Sequence, residues 1–261
     1  MNFPSEEFDS ILKEERTAQD FKTVAQRTLP LLDLTRLGDT DSMGDILQLC
    51  RNAVTPFGSV AAVCIYSQFV SYAKSELVGT DIKLATVANF PKGDQPVDEV
   101  IKEIQSEIIR GADEVDVVLP YTSYLSGETD EARNFLKACR EVCGKRVTLK
   151  VILETGAFPN AQKIYEASLL AIEAGANFVK TSTGKIKIGA TLEAAIAMLL
   201  AIRDSEKTVG FKASGGIRTV VQAAEYLSIA DRIMGNDWVS SDTFRFGASS
   251  LLNDVLHQLE S

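Results

Sequence analysis

The chain has a single histidine, His257, close to its C-terminal end. A catalytic zinc site normally draws on several His or Cys ligands, so this scarcity argues against metal-assisted chemistry. The four cysteines, Cys50, Cys64, Cys139 and Cys143, form no C-x-x-C pair and no framework of the secreted type. Cys139 and Cys143 stand four apart on an expected helix, where two small core residues are the simplest reading. No run of about 18 apolar residues is present, and the opening Met1-Asn2-Phe3-Pro4-Ser5-Glu6-Glu7 is polar and acidic rather than signal-like. A cytoplasmic location is expected. Positive charge is also short: the formal net charge is -9, whereas nucleic acids and anionic membranes are bound through basic patches. Neither is an expected partner, and any anion site must be local.

What is present is ordinary for a soluble globular protein, with 45% hydrophobic and 24% charged residues in 261. Phe8, Ile11 and Leu12, then Phe21 and Val24, recur at helical spacing. They imply an N-terminal helical extension over about residues 1–28. Leu31 to Thr35 reads as a first strand and Asp39 to Asn52 as a helix. Strand-like runs follow at Ser59 to Tyr66 and Ile82 to Asn89, separated by a helix near Ser67 to Leu77. Gly111 stops the next helix, which is marked by Val97, Val100, Ile101, Ile104 and Ile108. After the strand Glu114 to Leu119, Thr129 is expected to cap a helix that Gly144 ends. Thr148 to Glu154 is the fifth strand, and Asn160 caps a helix closing at Gly175. Two strands centred on Lys180 and Lys212 flank a helix from Thr191 to Arg203. Val220 to Met234, a strand at Thr243 to Gly247 and a helix at Ser250 to Leu259 complete the chain.

Eight short apolar strands, each followed by a helix at the spacing of one βα unit, imply a parallel sheet and an α/β fold of the (β/α)8 TIM-barrel type. Gly-Ala-Asp at 111–113 and Gly-Ala-Asn at 175–177 occupy the same helix-to-strand junction, a faint internal repeat. A doubly wound open sheet is disfavoured because no G-x-G-x-x-G follows the first strand. No linker or low-complexity stretch divides residues 1–261, which are expected to form one domain.

Charged residues interrupt the apolar strands at Asp33, Asp116, Lys150, Lys180 and Lys212. A lysine near a strand end is commonly a snorkelling surface residue. Here the design of strand, lysine and small-residue turn occurs twice, in Phe178-Val179-Lys180-Thr181-Ser182-Thr183-Gly184-Lys185 and in Val209-Gly210-Phe211-Lys212-Ala213-Ser214-Gly215-Gly216. Side chains alternate along a strand, so if Val115, Val117 and Leu119 face the helices, Asp116 faces the barrel axis and needs a cationic partner. An ordinary lysine is neutral in only about one molecule in a few thousand at pH 7. Burial and a second ammonium would both lower that pKa, which makes Lys180 the candidate nucleophile, Lys212 its tuner and Asp116 a proton carrier. A purely structural Asp-Lys pair is the alternative. Thr183-Gly184-Lys185, Ser214-Gly215-Gly216-Ile217-Arg218 and Gly247-Ala248-Ser249-Ser250 follow strands six, seven and eight, where barrels often hold phosphate on backbone N–H groups and helix N-termini.

Several of these stretches resemble the deoxyribose-phosphate aldolase family: Leu32-Asp33-Leu34-Thr35, Cys64-Ile65-Tyr66, Glu114-Val115-Asp116-Val117-Val118, Lys150-Val151-Ile152-Leu153-Glu154-Thr155-Gly156, the Lys180 and Lys212 segments, and Phe244-Arg245-Phe246-Gly247-Ala248-Ser249-Ser250. The resemblance runs from about residue 30 to residue 252 and leaves the N-terminal helices aside. It implies a metal-free, cofactor-free class I aldolase, a carbon-carbon lyase of deoxyribonucleotide catabolism. Such an enzyme reversibly cleaves 2-deoxy-D-ribose 5-phosphate to acetaldehyde and D-glyceraldehyde 3-phosphate. It further implies that Lys180 forms the Schiff base and that Lys212 and Asp116 move protons. Asp33, Lys150 and Cys64 would lie at or near the site. Thr183, Gly184, Lys185, Gly215, Gly216, Arg218, Gly247, Ser249 and Ser250 would contact the substrate, chiefly its phosphate. Some members carry a terminal tyrosine that assists proton transfer. This sequence stops at Leu259-Glu260-Ser261, so slower enamine protonation or a water in that role is expected. A homodimer is compatible with the sequence. The competing readings are another Schiff-base barrel of transaldolase type, a sugar-phosphate sensor without chemistry, and a pyridoxal-phosphate protein using Lys180.

Overall fold

The computed structural model of the chain describes residues 2–14 and 20–261. Among the described residues, eight parallel strands close into a barrel in sequence order. They are β1 Leu32–Arg36, β2 Ala62–Ile65, β3 Lys83–Ala88, β4 Glu114–Val118, β5 Thr148–Ile152, β6 Phe178–Lys180, β7 Gly210–Ser214 and β8 Phe244–Ala248. The helices, in chain order, are α1 Ser5–Lys13, α2 Phe21–Thr28, α3 Met43–Asn52, α4 Val70–Glu76, α5 Val97–Arg110, α6 Tyr121–Leu125, α7 Thr129–Cys143, α8 Ala161–Glu173, α9 Leu192–Asp204, α10 Val220–Met234 and α11 Leu251–Glu260. This is the (β/α)8 barrel that the alternation of elements implies. Part of the helical stretch expected between Phe8 and Arg27, residues 15–19, lies outside the described residues.

Strand alternation sorts the side chains into two sets. Leu32, Leu34, Val115, Val117, Leu149, Val151, Val179, Phe211, Phe244 and Phe246 join the continuous apolar core between sheet and helices. Full burial of such side chains stabilises by roughly 1.5–3 kcal/mol each. The other parity faces the barrel axis, where a barrel normally packs branched aliphatics. Here it carries Asp33, Glu114, Asp116, Lys150, Lys180, Lys212 and Arg245, all buried.

The N-terminal helices explain an otherwise odd sequence. Residues Ala194 to Ile202 of α9 are buried on every face, which requires cover beyond its neighbours in the helical ring. α1 supplies it, packing on α9 with Phe8 and Ile11 buried, and the Arg203 guanidinium holds both carboxylate oxygens of Glu7. α2 lies across α10 and α11, with Arg27 bidentate on Asp231 at 2.8 Å.

Local boundaries differ from expectation where side chains compete for the backbone. The helix expected from Asp39 starts at Met43, because Ser42 and Asp45 form a reciprocal capping box there. The second strand begins at Ala62 rather than Ser59, since Ser59 pairs instead with Val54 in a two-stranded ribbon. Thr129 is not a cap: Glu128 is the residue before α7, and no side chain caps that end. The helix near Ser67 opens as a 3-10 turn, Ser67–Phe69, before α4.

Candidate active site

At the C-terminal ends of β1, β6, β7 and β8 lies a pocket of about 510 Å³. Lys180 reaches its wall, and Thr183, Gly184, Lys185, Gly215, Gly216, Arg218, Gly247, Ser249 and Ser250 all line it. The three small-residue turns singled out in the sequence therefore share one cavity. Gly215 has φ +93°, and a Cβ there would sit 3.0 Å from Gly189 Cα, so both its backbone conformation and its packing exclude a side chain. A Cβ on Gly247 would press on Lys212 Cε at 3.0 Å. That glycine leaves the room the second lysine occupies. At the entrance, Ser250 precedes α11 without making a side-chain cap, whereas Thr191 and Thr219 cap α9 and α10 with their own hydroxyls. The first N–H groups of α11 are left without a side-chain acceptor beside the pocket, an arrangement suited to an anion.

Lys212, Asp116, Asp33 and Lys150 do not line the pocket; they are fully buried beneath it. Registry places Lys180 beside Lys212, Lys212 beside Arg245 and Asp116 beside Lys150. Asp116 is the hub. Its Oδ2 accepts from Lys180 at 2.9 Å and from Lys212 at 2.8 Å, and its Oδ1 accepts from Lys150 at 2.9 Å. Lys212 also donates to Asp33, and Lys150 to Glu114. Arg245 closes the network by donating to Asp33 at 2.6 Å and to Glu114 at 3.1 Å.

The two lysines on the shared oxygen differ electrostatically. Burial, aided by the Lys212 ammonium and opposed by Asp116, pushes the Lys180 pKa below that of an ordinary lysine. Burial also acts on Lys212, but Asp116 and Asp33 outweigh it and raise its pKa. Lys150 is raised as well, burial being overcome by Asp116, Glu114 and Asp33. For Asp116 the desolvation of its charge is overcome by Lys150, Lys180 and Lys212, so the carboxyl stays well below the usual range. The pocket thus meets one amine whose protonated form is disfavoured relative to an ordinary lysine, backed by two whose protonated forms are favoured.

Two expected site residues are placed differently from the rest. Cys64 is fully buried with Ala85 and Val87 on the β2–β3 wall; it does not line the pocket, and burial pushes its thiol pKa up. The Lys185 ammonium spans the mouth to the Leu37 carbonyl at 2.6 Å and Asp39 at 3.6 Å, 5.9 Å from the Tyr66 ring centre. Its backbone N–H, by contrast, remains in the glycine turn, donating to Thr183 Oγ1.

Sequence reasoning missed three side chains. Glu114 stands two residues before Asp116 and so shares its face; Arg245 sits between Phe244 and Phe246 as Lys180 sits after Phe178 and Val179. Glu154 follows β5 with φ +60°, a left-handed conformation that is sparsely populated for a residue with a side chain. Its buried carboxylate accepts from the Thr183 N–H at 3.2 Å and from the Thr183 hydroxyl, which pins the turn after Lys180. Among the described residues, no group of three His, Cys, Asp or Glu side chains could hold a metal ion. No helix among them is long and apolar enough to cross a membrane.

The parallel eight-stranded barrel is a fold that solved structures share. A candidate deoxyribose-phosphate aldolase from Toxoplasma gondii ME49 superposes with TM-score 0.83 at 23% identity, covering 92% of this chain and 97% of that one. A candidate deoxyribose-phosphate aldolase from Coccidioides immitis gives 0.78 at 28% identity over 96% and 97%. The tetrameric deoxyribose phosphate aldolase of Aeropyrum pernix gives 0.75 at 23% over 94% and 99%. The family model described as DeoC/LacD family aldolase matches residues 23–257, and the chain belongs to that family.

Proposed function

We propose that this protein is a class I aldolase acting on 2-deoxy-D-ribose 5-phosphate, with Lys180 as the Schiff-base lysine. The observation that carries the reading is that Lys180, alone of the three buried lysines, both reaches the pocket wall and has its pKa lowered. The phosphate would rest on the turns at Gly184, Gly215 and Gly216 and on the start of α11, leaving the aldehyde end directed at Lys180. The Coccidioides structure, at 28% identity, supports the same substrate.

In this reading the neutral Lys180 amine attacks C1 of the open-chain sugar, and loss of water from the carbinolamine gives an iminium ion. Removal of the C3 hydroxyl proton then breaks the C2–C3 bond. The bonding pair passes into an enamine on Lys180, and D-glyceraldehyde 3-phosphate departs. Protonation of the enamine carbon and hydrolysis return the amine and release acetaldehyde. Asp116 and Lys212, joined by a 2.8 Å hydrogen bond, serve as the relay for these protons. The Lys212 charge also keeps Lys180 from recapturing a proton.

Borohydride reduction in the presence of 2-deoxy-D-ribose 5-phosphate, followed by peptide mass mapping, tests the assignment. An adduct on Lys180 is expected; labelling at another residue would refute it. A second Schiff-base reading, aldol cleavage of a keto-sugar phosphate, is favoured by one observation, the breadth of the DeoC/LacD family description. Parallel incubation with fructose phosphates separates the two, because only the deoxy sugar releases acetaldehyde.

A further inference from the structure

The charges enclosed by the barrel do not balance. Asp33, Glu114 and Asp116 supply three carboxylates, against four cations from Lys150, Lys180, Lys212 and Arg245. A net charge held away from water is costly, and a group that can neutralise does so. Arg245 cannot, since a guanidinium keeps its proton in proteins. Lys150 reaches three carboxylates, Glu114, Asp116 and, at 3.7 Å, Asp33, while Lys212 and Arg245 each touch two. Among the described residues Lys180 touches only Asp116, on the oxygen it shares with Lys212. The surplus proton is therefore held most weakly at Lys180.

Other titratable groups do not remove the surplus. From β2, Cys64 is held as a neutral thiol by burial. Beyond β5, the buried Glu154 accepts from Thr183 and forms no ion pair with these cations; it lies within electrostatic reach of Lys180, but burial pushes its carboxyl pKa up, toward the neutral form. β3 presents Ala85 and Val87 to the same space. Arg245 itself is directed away from the pocket: its Nε donates to the Ser241 carbonyl, before the start of β8, and its guanidinium lies 5.6 Å from the Phe178 ring centre.

We propose that Arg245 is a positioning residue for the reaction: by claiming Asp33 and Glu114 with a permanent charge, it leaves too few carboxylates for three protonated lysines and so keeps Lys180 in its amine form. This rests on Lys180 being the reacting lysine, and it assigns the pair Arg245–Glu114 a task at the end of the barrel remote from the substrate. Removing the guanidinium equalises the charges and lets Lys180 keep its proton. Removing Glu114 along with it restores the surplus.

The test is kcat/KM for 2-deoxy-D-ribose 5-phosphate as a function of pH in the wild type, Arg245→Met, Arg245→Lys and the double variant Glu114→Gln/Arg245→Met, with folding followed by circular dichroism. The acid limb of Arg245→Met is expected to move up by about one to two pH units, a loss of about 10- to 100-fold on that limb that recovers in base. Arg245→Lys and the double variant should return the limb toward that of the wild type. A folded Arg245→Met with an unmoved limb, or a loss equal at every pH and shared by Arg245→Lys, would overturn the inference. Should Arg245→Met fail to fold, the double variant decides: an unmoved limb supports charge counting, and an upward move overturns it. Borohydride trapping of the wild type runs alongside. Failure to label Lys180 would sink the proposed function itself, whereas labelling with an unmoved Arg245→Met limb would sink only the role of Arg245.

Discussion

Among the described residues, the barrel interior and α5 both bury carboxyl groups completely, and they do so with opposite results. Inside the barrel, Asp33 and Asp116 are desolvated, yet Lys212, Lys150 and their neighbours hold both well below the usual carboxylate range. On α5, Glu107 is equally hidden, but among the described residues neither of its oxygens has a hydrogen-bond partner. Burial, reinforced by Glu103, pushes it up to about 9. Arg110, the nearest cation on its helix, is turned to the backbone and hydroxyl of Ser67. The contrast separates burial from partnering. Desolvation alone makes an acid neutral, and only an assembled set of cations keeps one ionised out of water. Such sets are weak sources of stability, so the charged barrel interior adds little to holding the fold together.

The comparison can be broken most severely at the amine. Lys180→Ala is expected to abolish borohydride labelling and to lower aldol cleavage by about 10^4-fold or more; retained labelling at full rate would contradict the site. Lys212→Leu should slow cleavage by about 10^2- to 10^4-fold while the far-ultraviolet spectrum keeps its helical signal. Its acid limb should move upward, because the ammonium that disfavours protonation of Lys180 is gone.

Acid titration sharpens the same contrast from the other side. Asp33 and Asp116 have folded pKa values below their unfolded ones, so their contribution is complete above about pH 4 and is lost only as pH falls through the lower folded values. Unfolding driven by these groups should therefore begin below about pH 4, as read by tryptophan fluorescence. Glu107 carries the opposite sign. Both states hold its proton below 4.5, the ordinary glutamate value, and between there and about 9 only the folded chain does, so stability falls as pH rises through that window. Glu107→Gln removes this penalty and is expected to stabilise by about 1–3 kcal/mol at pH 8, with aldolase activity unchanged. Equal denaturation midpoints for variant and wild type at pH 8 would show that the carboxyl finds a partner in solution.

Much of this site is readable along the chain because barrel strands are short and alternate strictly. A charge inside an apolar run must face the axis, and Asp116, Lys150, Lys180 and Lys212 follow from that rule. The same rule reaches Glu114, two residues ahead of Asp116, and Arg245, between two phenylalanines, but both stand near strand edges where charge is common. Nothing local distinguishes Lys185, a lysine following a glycine turn, from a phosphate ligand. Its ammonium goes to Leu37 and Asp39 because the loop after β1 lies across the mouth. Glu154 gives no pattern at all, since its left-handed backbone and its hold on Thr183 depend on β6 lying alongside β5. Thr129 failed as a cap for a similar reason: several residues in one turn can end a helix, and propensity does not choose among them.

By itself the sequence determined the alternation of strands and helices, the parity that turns charges inward, and the three glycine-bearing turns, because each depends only on neighbours a few residues away. Tertiary structure decided which lysine is short of carboxylates, where Arg245 spends its charge, and that α1 must cover α9. These are properties of distance between residues as far apart as Asp33 and Lys212, and electrostatic energy is set by that distance and by the exclusion of water, which no local pattern contains.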